Sequence, residues 1–184
     1  MTAEEKELLE ERVDGKTVFH GALLHVVDDT VSLPNGKTAH RELIRHVGAV
    51  CIVPLTEENE VIVERQYRYP IAEVLTEIPA GKLDSKQEDR TEAARRELRE
   101  ETGVTADEMI ALGDFYPAAA YSDEKITLYL ARGLHFGARE LDEDEFLNVK
   151  RVPLTQLLAD VMAGKIPDVK TQMAILKVAR YLGI

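Results

Sequence analysis

The sequence predicts an α/β fold: a sandwich of helices on both faces of a mixed β-sheet, preceded by a β-rich appendage. Strand-length apolar runs, such as 47–55 (VGAVCIVPL) and 61–69 (VIVERQYRY), recur between turn-forming residues. A stretch rich in Ala, Leu, Arg and Glu, residues 91–102, interrupts them in mid-chain and is built almost wholly of good helix formers. Two more helical patterns, 155–163 and 168–182, come late, so strands and helices mix without a strict repeating unit.

Taken in order, residues 2–13 alternate acidic and apolar in a helix-like way. Residues 17–27 and 30–33 read as strands, and Pro34-Asn35-Gly36-Lys37 reads as a hairpin in which Asn-Gly favours a type I′ turn. Residues 37–46 form the return strand, which makes 1–44 the appendage and 45–184 the main domain. The run 47–55 is a buried strand. Residues 61–69 return as a strand that Pro70 stops, and 74–78 is a short strand before a Pro79-Ala80-Gly81 turn. The helix over 91–102 takes Thr91 or Asp89 as its cap and Gly103 as its stop. Further strands are expected over 110–117, 126–131 and 146–152, then a helix capped by Thr155 and a terminal amphipathic helix.

The central helix carries a costly feature. Ala94 and Leu98 share a core-facing side, whereas Glu97, Glu100 and Glu101 gather on another. Two carboxylates about 5 Å apart repel by roughly 3 kcal/mol at an effective dielectric near 20. Such a cluster spreads into water, raises a pKa or holds a cation. Oxygen donors on a rigid support suit Mg2+ or Mn2+, which bridge to phosphate oxygens.

These residues resemble the Nudix box, G-x5-E-x7-R-E-U-x-E-E-x-G-U with U aliphatic. The run from Arg96 to Val104 (RELREETGV) matches its second half at every fixed position. In the first half, six residues separate Gly81 from Glu88 instead of five, and Gln87 stands where the glutamate is usual; one extra loop residue accounts for this. The resemblance extends to the ADP-ribose pyrophosphatase branch. Residues 64–70 (ERQYRYP) are similar to its R-Q-[YF]-R motif, 77–81 (EIPAG) to its approach to the box, and 141–146 (LDEDEF) to its acidic loop. Ala118, Ala119 and Ala120 replace the S-P-G common in the loop after the box, which changes that loop's stiffness.

The resemblance implies a Nudix α/β/α sandwich and hydrolysis of a nucleoside diphosphate linked to a second group. With ADP-ribose the products would be AMP and ribose 5-phosphate; a nucleotide sugar or damaged nucleotide is the alternative substrate class. It implies metal binding by Glu97, Glu101, the Ala80 carbonyl and Glu145. Glu143 becomes the base for the attacking water, with Glu100 beside the metal and Arg96 orienting the glutamates. Arg68 grips phosphate, with Arg65 as helper, and Arg41, Glu42 and Glu77 contact adenosine or ribose. It also implies a homodimer. A non-catalytic nucleotide-binding module is a reading from a different class, against which the intact cluster of repelling glutamates argues.

Composition bounds the rest. A chain of 184 residues with 45% hydrophobic residues fits one domain with a small appendage. The net charge of -11 argues against a nucleic-acid backbone as partner. No apolar run approaches a membrane span, the acidic N-terminus does not read as a secretory signal, and the lone Cys51 lies in an apolar run, so a cytoplasmic location is expected. The five histidines (His20, His25, His40, His46, His135) have no ligand spacing and read as structural.

Overall fold

The computed structural model describes residues 2–139 and 146–184. It divides into two compact units: the chain up to Val47 together with Ala118–Lys125, and Gly48–Pro117 together with Ile126–Ile184.

The first unit holds α1 (Ala3–Lys6), capped by Thr2, and an antiparallel sheet of β1 (Glu11–His20), β2 (His25–Ser32) and β3 (Thr38–Arg45), in that order. Helix therefore covers only the first part of the 2–13 pattern. Arg12 and Val13 belong to β1, because the Arg12 guanidinium is drawn to buried Asp29 on β2 (Nε to Oδ1, 2.9 Å). Asp29 also accepts from Arg45 Nη2 at 3.1 Å. The hydrogen bond from Arg12, ahead of the opposing effect of burial, holds the Asp29 carboxyl below its ordinary range. The expected strand over 17–27 is broken by a turn, closed where the Gly21 N–H donates to the Leu24 carbonyl. The second hairpin is not type I′. The Gly36 N–H donates to the Leu33 carbonyl, so Pro34 and Asn35 are the central residues and Gly36 takes the left-handed φ of +78°. Proline's fixed negative φ suits the first central position of a type I turn and excludes type I′ there. Residues 118–125 join this unit through the Ile44–Ser122 bridge and through Asp123, whose Oδ1 accepts the His46 N–H at 2.6 Å.

The second unit has two sheets. One, ordered β7 (Ala80–Lys82), β4 (Ala49–Pro54), β9 (Ile126–Phe136), β8 (Val104–Phe115), is mixed: β4 and β9 run parallel and the other neighbours antiparallel. The other is antiparallel, ordered β10 (Leu147–Pro153), β5 (Glu60–Arg68), β6 (Glu73–Glu77). Every residue of β4 is buried, as its unbroken apolar run requires of a strand covered on both faces. Cys51 and Val53 pack in the cluster that holds Val61 and Val63 of β5, Leu157 of α3 (Leu154–Met162) and Ile175 of α4 (Val169–Tyr181). Alternation leaves Val50 and Ile52 for the opposite face, on which α2 (Arg90–Thr102) lies against β4, β7 and β8. The expected α/β sandwich is borne out. Burial pushes the Cys51 thiol up to about 12, so it packs as a small hydrophobe.

Several boundaries move for local reasons. The residues read as a Pro79-Ala80-Gly81 turn continue into the short strand β7, paired to β4. A short 3-10 turn (Tyr69–Ile71) follows β5 at Pro70. β8 starts at Val104, well before residue 110, because Gly103 ends α2 with a left-handed φ of +71° and turns the chain straight into the sheet. β9 runs on past residue 131 to Phe136 beside it. α3 begins one residue before Thr155, which is not its cap: its first residue, Leu154, donates its N–H to the Asn59 carbonyl at 2.9 Å. α4 starts where expected, with Asp168 as its cap.

Candidate active site

The candidate site is built where α2 lies over β7. Asp89 caps the helix, its Oδ1 accepting from the Thr91 and Glu92 N–H groups at 2.9 and 3.0 Å, so of the two residues read as caps it is the aspartate that serves. Ala93, Ala94 and Leu98 are buried and anchor the helix. That anchoring sets the rotation of α2 and turns Glu97 and Glu101, one turn apart, toward the start of β7.

The two carboxylates meet consecutive residues of that strand. Glu101, only 4% exposed, accepts the Ala80 N–H at 3.0 Å. The Glu97 carboxylate lies directly over Gly81, so closely that a Cβ there would overlap it. Glycine at 81 permits this approach, since a Cβ there would push the Glu97 carboxylate aside; no left-handed turn calls for it. The site thus gathers Glu97, Glu101 and the Ala80–Gly81 backbone.

Arg96 ties the surrounding carboxylates together. Its Nη1 donates to Glu97 Oε1 at 2.7 Å and to Glu100 Oε2 at 3.2 Å; its Nη2 donates to Glu88 Oε1 at 3.3 Å and to the Lys82 carbonyl at 3.4 Å. Burial opposes the charge of Arg96, but Glu97, then Glu88 and Asp84, more than offset it and raise its pKa. Arg96 therefore contacts the glutamates it was expected to orient. The extra loop residue is absorbed locally. Glu88 is half-buried and reaches Arg96, its other oxygen accepting the Asp84 N–H at 2.6 Å, whereas Gln87 is exposed.

A second polar cluster lies on β6 and the start of α4. Glu77, 1% exposed, accepts two bonds from Arg68, Nε and Nη2 each at 2.8 Å, and pairs with Lys170 Nζ. Lys170 also pairs with Asp168 at 3.1 Å, which accepts from the Thr171 N–H and hydroxyl at 2.9 and 2.6 Å. Burial pushes the Glu77 pKa upward, yet the bonds from Arg68 and the charge of Lys170 prevail and leave it lowered. Among the described residues, Glu77 and Arg68 are thus committed to each other. Lys170 and Thr171 were missed in the sequence. Nothing in sequence tied them to Glu77 and Ile78, each 93 residues away.

The other expected residues are placed as follows. Arg65 does not join Arg68. The two differ by an odd number of positions on β5, so their side chains leave opposite faces. Arg65 instead lines a cavity of about 290 Å³ with Thr76, Lys150 and Asp160. Arg41 and Glu42 belong to β3 of the first unit. Arg41 pairs with Glu10 through Nε (2.9 Å) and Nη2, and Glu42 is exposed opposite Asp28 in register. Glu143 and Glu145 lie outside the described residues. Among the described residues no three His, Cys, Asp or Glu side chains stand together at metal-ligating spacing: Arg96 bridges Glu97 and Glu100, and Glu101 is turned to Ala80. The donor chemistry still fits a hard divalent ion, because Glu97 and Glu101 bring carboxylate oxygens to the Ala80–Gly81 backbone.

The NUDIX domain family matches residues 45–172. The chain belongs to the Nudix family. This Nudix hydrolase is 39% identical over 172 residues to the ADP-ribose pyrophosphatase of Bacillus subtilis (strain 168), covering 92% of each chain. It is 40% identical over 168 residues to the methanol dehydrogenase activator of Bacillus methanolicus, covering 90% of each. Its fold matches the crystal structure of an ADP compounds hydrolase with a TM-score of 0.84, at 27% identity over 96% of each chain. The resemblance read from Arg96 to Val104 is borne out.

Proposed function

We propose that this Nudix hydrolase is a Mg2+-dependent pyrophosphatase that cleaves the diphosphate of ADP-ribose, to AMP and ribose 5-phosphate, or of a related nucleoside diphosphate sugar. The observation that carries the reading is the approach of Glu97 and Glu101 to Ala80 and Gly81, left open by the missing Cβ. The names of the relatives support the substrate class.

Glu97, Glu101 and the Ala80 carbonyl would hold the ion, with Glu145 as a further ligand and Mn2+ as the alternative metal. Bound there, a divalent ion neutralises the diphosphate and polarises it toward in-line attack by water. The chain's own groups do the rest. Arg96 holds Glu97 and Glu100 in place from behind. Glu143 on the acidic loop takes the proton of the attacking water, which requires it to come within hydrogen-bond reach. Arg68, fixed on its Nε side by Glu77, presents its Nη1 edge to a phosphate oxygen. Arg65, on the opposite face of β5, takes no part in this grip, and Arg41 and Glu42 contact adenosine or ribose.

The active species in this reading is a cytoplasmic homodimer with residues 14–46 packed or exchanged across the two-fold axis. Exposed apolar side chains on β1 support it, with Val13 62%, Val18 58% and Phe19 54% exposed. Light scattering at micromolar concentration is expected to give twice the chain mass, and a monomer there overturns this part. Among the described residues no helix is long and apolar enough to cross a membrane.

A substrate panel tests the function. With Mg2+ present, phosphate is released from ADP-ribose after coupling to a phosphatase, and chelation abolishes release. If another diphosphate is turned over far faster, the substrate assignment fails; if none is turned over with Mg2+ or Mn2+, the enzymatic reading fails.

A further inference from the structure

The first turn of α4 is coupled to the site by a chain of hydrogen bonds that the proposed reaction does not itself use. Thr171 is fully buried, and its hydroxyl has two partners. It donates to Asp168 Oδ2 at 2.6 Å and accepts the N–H of Ile78 at 3.0 Å. Ile78 begins the short link from β6 to β7. Its neighbour Pro79 accepts the Ile52 N–H at 2.9 Å, and the next residue, Ala80, donates its N–H to Glu101. The backbone that carries the Ala80 carbonyl is therefore pinned at three successive residues: by α4, by β4 and by α2. Asp168 and Lys170 hold the α4 end, Lys170 reaching the side chain of Glu77 just before Ile78.

We propose that Thr171 is a positioning residue for hydrolysis. Its hydroxyl, oriented by Asp168, sets the path of Ile78–Ala80 and with it the alignment of the Ala80 backbone and the Glu101 carboxylate. Proline at 79 makes the pin consequential. It supplies no N–H, so the Ile78 amide is the last donor before Ala80 that can be tied to a neighbouring element. The inference rests on the proposed pyrophosphatase activity. A displacement of about 1 Å in a catalytic constellation costs up to about 100-fold in rate.

The test compares wild type, Thr171→Val and Thr171→Ser. Valine keeps the shape and loses the hydroxyl; serine keeps the hydroxyl and loses a methyl. T171V is expected to lose about 10- to 100-fold in kcat toward ADP-ribose with KM nearly unchanged, while T171S stays within a few-fold of wild type. Mn2+ affinity without substrate, read from the free-ion EPR signal, is expected to weaken in T171V and not in T171S. If T171V matches wild type in both kcat and Mn2+ affinity, the proposal is overturned. Parallel losses in T171V and T171S that track their loss of Tm also overturn it, since packing alone then explains them. Should T171V fail to fold, Asp168→Asn replaces it: the same split is expected at smaller amplitude, and an unchanged kcat in folded D168N overturns the proposal. Wild type that does not turn over ADP-ribose would sink the functional reading itself, which the variants leave untouched.

Discussion

Two clusters of charged side chains in the second unit use the same kinds of group and reach different balances. Around Glu77, the cations Arg68 and Lys170 face Glu77 and Asp168, with Glu64 adding a further carboxylate against Arg68. Around α2, Arg96 is held among Glu88, Glu97 and Glu100, with Glu101 nearby on the same face and the more exposed Arg99 reaching Glu100 at 3.8 Å. The first cluster is close to neutral, and Glu77 at its centre is bonded to both Arg68 and Lys170 inside the protein. The second carries surplus negative charge beside an open backbone approach. A near-neutral buried cluster has no charge left over for an ion; surplus charge on a rigid face is what the proposed cation would neutralise.

The largest expected effect breaks the comparison if it fails. Glu101→Gln removes one charge from the surplus cluster but keeps an oxygen able to accept the Ala80 N–H. Turnover should fall by orders of magnitude while thermal unfolding stays nearly unchanged. A rate equal to wild type would remove the proposed metal site.

Glu77→Ala acts on the other cluster. It leaves Arg68 and Lys170 facing each other without their shared carboxylate, and removing one partner of a buried pair costs about 3–5 kcal/mol. Urea unfolding measures it, and a loss well under 1 kcal/mol would mean the cluster does not hold the fold.

A pH series sharpens the point. Despite burial, the Glu77 pKa is lowered by Arg68 and Lys170. A carboxyl with a depressed folded pKa stabilises fully above its unfolded value, about 4.3, and that stabilisation is lost as pH falls through the folded value. The stability gap between wild type and Glu77→Gln should therefore narrow below about pH 4 and be constant near neutrality. A gap that widens in acid contradicts the assignment.

The smallest effect is a control on the same helix. Asp89→Ala removes the N-terminal cap of α2 from outside both clusters and should cost about 1 kcal/mol in urea unfolding with turnover unchanged.

Much of this was legible along the chain. Residues 49–54 announce a strand buried on both faces because no position is polar. α2 is bounded by a cap and a left-handed glycine that local chemistry demands. What was not legible depends on partners distant in sequence. Arg65 and Arg68 look equivalent in a motif, yet the pleat sends them to opposite faces. Gln87 and Glu88 both neighbour the expected position, and only the folded loop selects Glu88 as the partner of Arg96. The type I′ reading of Asn35-Gly36 failed because Pro34 took the first central position of the turn.

The amino-acid order alone determined the acidic spacing of Glu97, Glu100 and Glu101, the glycine at 81 and the helix that carries them, because spacing and backbone freedom are local properties. Only the tertiary structure decided which backbone those carboxylates meet, that Glu77 is neutralised by Arg68 and Lys170, and that Thr171 holds Ile78. A hydrogen bond between residues far apart in the chain exists only once packing brings donor and acceptor together, and that information is shared among every element that packs.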